Sequence, residues 1–136
     1  MTPMTDLSVT TRAIEFVAPL MGFAEQTTFH LLPLDEEGTL SSLRAADGSG
    51  VRLVVVAPGR FFPDYAPRVD DEVVHALDLQ DASEAVVLNV VNIGDDPATA
   101  TVNLLAPIVV NQRTLRAAQV VLAGTELPLR APLLVA

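Results

Sequence analysis

The fold is indicated most clearly by residues 47–57, which read Asp-Gly-Ser-Gly-Val-Arg-Leu-Val-Val-Val-Ala. Residues 47–50 predict a hairpin turn, because Gly and the Asp-Gly pair tolerate positive φ angles. The nearly continuous apolar run from Val51 to Ala57 is typical of a central strand that is buried on both faces. We therefore expect a β-sheet with this strand in its interior.

Similar short runs recur along the chain at intervals of roughly ten to twelve residues, a spacing typical of β-sandwiches and barrels. The predicted strands are 8–16, 27–34, 40–46, 51–57, 85–93, 99–105, 108–111 and 117–122. Turns are expected at 35–38, 94–97 and 112–114, a bend, bulge or edge at Pro107, and a chain reversal closing at Gly124. The tail from Leu127 to Ala136 is expected to be an edge strand or a loose end. The pattern predicts an all-β, small, antiparallel β-barrel-like fold.

Residues 70–79 depart from this rhythm and predict one short helix. Asp70 fits the N-cap position, and Asp71 and Glu72 suit the positive end of the helix dipole. Val73, Val74 and Leu77 would form its apolar face. With 136 residues and no linker or repeat, we expect a single domain over residues 1–136.

Composition excludes several classes of function. The chain has no cysteine, which removes thiolate catalysis and Cys-based metal sites and fits a reducing compartment. Neither a signal-peptide pattern nor an apolar run long enough for a membrane span is visible, so we expect a cytoplasmic protein without membrane contact. The formal charge of −9 argues against direct binding of nucleic acid.

The acidic residues are unevenly distributed. Between residues 64 and 84 there are seven acids and one arginine, Arg68, whereas residues 103–136 contain three arginines and only Glu126. This acidic region is either a solvated face that keeps the protein soluble or a surface that attracts a basic partner and repels RNA.

No arrangement of residues indicates catalysis. The serines lie outside any nucleophile elbow, and His30 fits a structural position in a strand. Glu72 and His75 have the spacing of a Glu-x-x-His metal motif, but one copy on a short helix is better explained by helix capping. We therefore expect no enzyme activity, no metal and no cofactor; a hydrolase or metal-dependent enzyme centred on His75 is the competing class.

The most unusual segment is residues 58–67, Pro-Gly-Arg-Phe-Phe-Pro-Asp-Tyr-Ala-Pro. Its aromatic residues either plug one end of a barrel or form a rigid recognition loop for another protein. Both interpretations are consistent with the residue types.

Two blocks of sequence, residues 54–65 and 103–111, resemble the FliW family of flagellar assembly factors. The first is similar to that family's central strand and Phe-x-Pro-Asp-Tyr loop, and the second to its Asn-Leu-x-Ala-Pro-Ile-x-x-Asn signature. Phe16 to Phe23 is a weaker match in which Pro19 replaces a glycine. Element order agrees over about residues 14–122, the recognisable core. The chain departs from the family in lacking lysine and in having Ala131 where members tend to carry histidine.

The resemblance implies a cytoplasmic regulator that binds flagellin and, alternatively, the translational repressor CsrA. By antagonising CsrA, the regulator would control flagellin translation. A flagellin-binding chaperone or a generic β-barrel interaction module without CsrA antagonism is the alternative. We expect a monomer when the protein is free.

An acidic partner docked beside the basic RNA-binding surface of CsrA would oppose phosphate approach over about 8 Å at physiological salt. Flagellin would be captured by a helix-in-groove or an edge-strand contact. The candidate partner-binding residues are Phe61, Phe62, Pro63, Asp64, Tyr65, Asp70, Asp71, Glu72, Asp78, Asn103, Pro107 and Asn111.

Overall fold

The computed structural model of the protein describes residues 12–18, 20, 26–36, 39–67, 69–93, 99–122 and 126–132. Its strands are β1 (Arg12–Phe16), β2 (Thr28–Pro33), β3 (Leu40–Ala45), β4 (Arg52–Val56), β5 (Ala85–Asn92), β6 (Thr101–Val102), β7 (Ile108–Asn111), β8 (Arg116–Gln119) and β9 (Ala131–Pro132). The α-helix described is α1 (Asp71–Ala76), and single 3-10 turns span Pro58–Arg60 and Ala82–Glu84.

Seven of the strands close into a barrel. Their order is β4-β3-β2-β1-β8-β7-β5, and a pairing between β4 and β5 completes the ring. The described neighbours are antiparallel except β1 and β8, which run parallel with Glu15 opposite Arg116. β6 and β9 extend from β5 outside the ring. The expected small all-β, barrel-like fold with one short helix is confirmed, but the sheet is mixed and not purely antiparallel as predicted, because β1 and β8 run parallel.

Alternating side chains of the strands fill the barrel interior. Ile14, Phe29, Leu43, Val55 and Ile108 are all at most 1% exposed and belong to one interior cluster. The interior is mostly aliphatic, as the composition predicts. Its aromatic pair, Phe16 and Phe29, makes an edge-to-face contact with ring centroids 5.5 Å apart.

The helix α1 is shorter than predicted and packs on the outside of β7 and β8. Leu77, which follows the helix, is fully buried against Val109 and Ala118. Asp70 occupies the N-cap position, as predicted, but its side chain makes no capping hydrogen bond. The helix ends early because Asp78 adopts a φ of +53°, which lies in the left-handed region.

The predicted turns at residues 47–50 and 112–114 are found, whereas the predicted strands 99–105 and 117–122 are shorter in the structure; residues 37 and 38 of the predicted turn at 35–38 lie outside the described residues. Gly48 and Gly50 have φ angles of +79° and +87° in the β3–β4 hairpin. The predicted strand 99–105 shortens to β6, since the chain bends at residues 105–106 directly before Pro107. In the predicted tail, β9 forms a two-residue strand against β6. Residues 8–11, 94–98, Gly124 and 133–136 lie outside the described residues.

Candidate functional site

The aromatic loop, residues 58–65, folds back on itself directly after β4. The backbone N–H groups of Phe61 and Phe62 both donate to the carbonyl oxygen of Pro58, at 3.0 and 2.8 Å. The N–H of Tyr65 donates to the Phe62 carbonyl at 3.0 Å. The three aromatic side chains are partly buried against an outer cluster that contains Val56. The loop is therefore a packed element of the barrel's outer surface, and contact of its rings with another protein stays a prediction.

Tyr65 is tied to the barrel by a polar network. Its hydroxyl donates to the Leu104 carbonyl at 2.7 Å and accepts a bond of 3.2 Å from Asn89 Nδ2. Asn89 Nδ2 also donates to the carbonyl of Asn103 at 2.9 Å. Burial raises the pKa of Tyr65 above its ordinary value of 10.0, and the hydrogen bond with Asn89 partly opposes this shift.

Asn89 was missed by the sequence reasoning, although an amide inside the apolar run of residues 85–93 is a visible signal. It is fully buried, and among the described residues its Oδ1 has no hydrogen-bond partner. A buried acceptor without a partner is costly. Its hydrogen bond to the Tyr65 hydroxyl links β5 to the aromatic loop.

Asn103 and Pro107 shape the approach to β7. Asn103 Oδ1 accepts hydrogen bonds from the N–H groups of Leu105 and Ala106, both at 3.0 Å, and so caps the bend. Pro107 is buried, and its carbonyl accepts a bond of 2.9 Å from Val120. These contacts lie within the fold, and a partner contact at either residue stays a prediction.

Asn111 is also turned inward. It is fully buried, and its Nδ2 donates to the carbonyl oxygen of Leu77 at 2.7 Å and that of Asp78 at 3.3 Å. Its Oδ1 accepts from the backbone N–H groups of Arg113 and Thr114. Asn111 therefore joins the β7–β8 hairpin to the end of α1.

Two of the acids between residues 64 and 84 are paired with Arg113. Its guanidinium lies 2.7 Å from Glu84 Oε2 and 3.2 Å from Asp78 Oδ2, and these hydrogen bonds raise the pKa of Arg113. A hydrogen bond from the Gln80 N–H, together with Arg113, lowers the pKa of Glu84. The charge of Asp78 is thus partly offset. This pairing was also missed, because it joins residues distant in sequence.

A second group of acids has no ion-pair partner among the described residues. Asp70, Asp71 and Glu72 follow one another at the start of α1, and Asp64 lies at the end of the aromatic loop; all four are exposed. Residues 65–69, which include Arg68, separate Asp64 from the other three. We call these four residues the unpaired acids.

The described residues contain no group of three or more His, Cys, Asp or Glu side chains close enough to hold a metal ion. The described helices are too short or too polar to cross a bilayer.

Comparison with known proteins identifies the family. The model of the FliW protein family matches residues 3–133. The flagellar assembly factor FliW of Bacillus subtilis is 30% identical over 120 residues, which cover 88% of this chain and 84% of that protein. The corresponding factor of Bacillus licheniformis is 33% identical over 111 residues, covering 82% and 78%.

A solved structure agrees with these relatives. The crystal structure of a flagellar assembly factor FliW superposes with a TM-score of 0.82 at 25% identity, covering 91% of this chain and 86% of that one. The chain therefore belongs to the FliW family of flagellar assembly factors, which are non-enzymatic proteins.

Proposed function

We propose that this protein is a cytoplasmic regulator that binds flagellin and, alternatively, the repressor CsrA, and so relieves CsrA's control of flagellin translation. Family membership supports the role in flagellar assembly. The observation that carries the regulatory part is the group of unpaired acids, because a negative surface attracts a basic RNA-binding protein and repels RNA.

The proposed antagonism is electrostatic. Docking of the unpaired acids beside the RNA-binding surface of CsrA places a negative field where phosphates approach. That field reaches about 8 Å at physiological salt and shortens as salt rises. Asp78 contributes less to it than the four unpaired acids, because Arg113 lies 3.2 Å away.

The test measures displacement of a flagellin leader RNA from CsrA. In the test variant the unpaired acids are neutralised as Asp64→Asn, Asp70→Asn, Asp71→Asn and Glu72→Gln. The control variant removes the same charge from exposed acids elsewhere that form no ion pair with a described residue, as Asp35→Asn, Glu36→Gln, Asp47→Asn and Glu126→Gln. We expect the test variant to lose potency about tenfold at low salt and the control to change less than about twofold. Equal potency of the two variants contradicts the electrostatic mechanism.

Co-purification from the native cytoplasm tests the pair of partners. Recovery of both flagellin and CsrA supports the proposal. Recovery of flagellin without CsrA contradicts the regulatory part and leaves a flagellin chaperone. The free protein is expected to behave as a monomer in size-exclusion chromatography with light scattering.

A further inference from the structure

The barrel has an incomplete seam between β4 and β5. On the edge of β4 that faces β5, the pairing reaches only Asn89–Val91, which lie in the second half of β5. The first half, Ala85–Leu88, pairs with β7 on the opposite edge. Among the described strands, none lies along the β4-side edge of residues 85–88. We call this stretch the open edge.

The direction of the backbone groups on the open edge follows from two hydrogen bonds. The carbonyl of Glu84 accepts from Gln112 N at 2.8 Å, and that of Val90 accepts from Asn103 N at 2.9 Å, both on the β7–β6 side. Backbone groups alternate between the two edges of an antiparallel strand. The backbone N–H and carbonyl groups of Ala85 and Val87 therefore point toward the open edge.

Among the described residues, few groups satisfy these backbone atoms. The Ala85 N–H donates to the Ala82 carbonyl. No hydrogen bond from a described residue reaches the Val87 N–H or the carbonyls of Ala85 and Val87 on that side. Paired strands normally satisfy such groups, and an unpaired edge is a template for another strand.

The chain itself prevents β4 from covering the open edge. Val56 lies opposite Asn89, so continuing the pairing would place Pro58 opposite Val87. Proline has no N–H to donate to the Val87 carbonyl. The Pro58 carbonyl is already used by Phe61 and Phe62 as the 3-10 turn leads away. Pro58 and the 3-10 turn thus end the pairing of β4 with β5 and leave the open edge unpaired by β4.

Cavities lie on both sides of the open edge. Outside the barrel is a groove of about 490 Å³, lined mainly by apolar side chains that include Val69, Val74, Leu79, Ala85 and Val87. A second cavity of about 210 Å³ opens on the inner face, where Val86 and Leu88 line it together with Leu31 and Val110. Because side chains alternate along a strand, a strand added to the edge would place them in the two cavities in turn.

Charge adds a further constraint on the occupant. Asp81 lines the outer groove, and Asp70 and Asp71 start the helix whose Val74 also lines it. None of these three acids forms an ion pair with a described residue. An occupant with a lysine or arginine beside the groove would complement them.

We propose that the open edge binds an extended segment of flagellin as an added β-strand. The segment has aliphatic side chains on both faces and a basic residue beside Asp81. Its backbone pairs with Val87, the mode of recognition known as β-augmentation. This inference rests on the proposed function and assigns flagellin to one site on the barrel.

Amide hydrogen exchange of the isotope-labelled protein, followed by NMR, tests the site directly. In the free protein the Val87 amide should exchange at least about tenfold faster than those of Val86 and Leu88, which are in the β7 ladder. Purified flagellin monomer should slow the Val87 amide at least about tenfold. If that amide is already slow in the free chain, the chain's own residues occupy the edge and the inference is overturned.

A proline substitution provides the matched test of binding. Val87→Pro removes the edge-facing N–H and also the Val87 side chain that lines the outer groove, so it is compared with Val87→Ala, which loses most of the side chain but keeps the N–H. The proline variant should bind flagellin at least about tenfold more weakly than the alanine variant. Val121→Pro is the control, because Val121 is exposed and lies between two bonded residues away from the groove. We expect the control to bind as the unchanged protein does.

The outcomes separate the two proposals. Flagellin binding that leaves the Val87 amide unprotected overturns this site and leaves the proposed function intact. Protection of Val87 by CsrA but not by flagellin overturns the assigned occupant. Failure of the unchanged chain to bind flagellin overturns the proposed function, and the named occupant with it. If Val87→Pro does not fold, the exchange measurement on the unchanged chain still decides.

Discussion

The side-chain amide of Asn111 donates a hydrogen bond of 2.7 Å to the carbonyl oxygen of Leu77, which joins the β7–β8 hairpin to the end of α1. Leu77 is itself fully buried. A single amide thus holds in place the segment that follows the unpaired acids and borders the outer groove.

Asn111→Ala should lower the free energy of unfolding by about 2–4 kcal/mol, because it leaves the Leu77 carbonyl and two hairpin N–H groups without their partner. Urea unfolding followed by circular dichroism measures the change. Asn92→Ala, at the exposed end of β5, is the control and should change stability by less than about 0.5 kcal/mol. Equal stabilities of the two variants would contradict the role of Asn111.

Tyr65→Phe should cost about 1–2 kcal/mol of stability, since it removes the hydrogen bond to Leu104 and the acceptor for Asn89 while keeping the ring. The measurement is again chemical unfolding, for Tyr65→Phe and Asn89→Leu separately and combined. We expect the two effects to be non-additive because the side chains share one network. Strict additivity would show that the network is not coupled.

Glu84→Gln should destabilise the protein in a pH-dependent way. The folded pKa of Glu84 is lowered from its ordinary value of 4.5, so the stabilisation is present above that value and is lost as pH falls through the lower folded pKa. Gln keeps an oxygen for the Gln80 N–H but loses the charge facing Arg113. Thermal unfolding of the unchanged protein and of Glu84→Gln is measured between pH 7 and pH 3. The difference between their unfolding temperatures should disappear in acid. A gap independent of pH would contradict this account.

Gly48→Ala should lower stability by about 1 kcal/mol, because Gly48 has a φ of +79° that a residue with a Cβ adopts only with strain. No atom lies within 4 Å of the added Cβ, so the cost comes from the backbone alone. Gly59→Ala is the control, since its site is equally open and its φ is not in the left-handed region. Thermal unfolding should show a loss for Gly48→Ala only.

The strands could be predicted because their signals are local. Alternating apolar residues and the turn at residues 47–50 specify β3 and β4 without knowledge of any distant contact. The order of the strands around the barrel could not be derived in this way, because pairings such as that of β1 with β8 join residues about one hundred positions apart.

The internal contacts of the candidate site could not be predicted, because they join residues far apart in the chain. Tyr65 bonds to Leu104, and Arg113 to Asp78 and Glu84, and neither pairing leaves a periodic pattern in the sequence. The open edge was equally hidden, since it depends on where β4 stops relative to β5.

The parallel pairing of β1 with β8 has a consequence for how the chain is made. Glu15 leaves the ribosome long before Arg116, its partner across that pairing. The first four strands can form a meander early, but one side of β1 stays bare until the β7–β8 hairpin has been synthesised. Contacts between such distant residues slow folding. A newly made molecule therefore becomes a complete barrel only after the β7–β8 hairpin has left the ribosome and paired with β1.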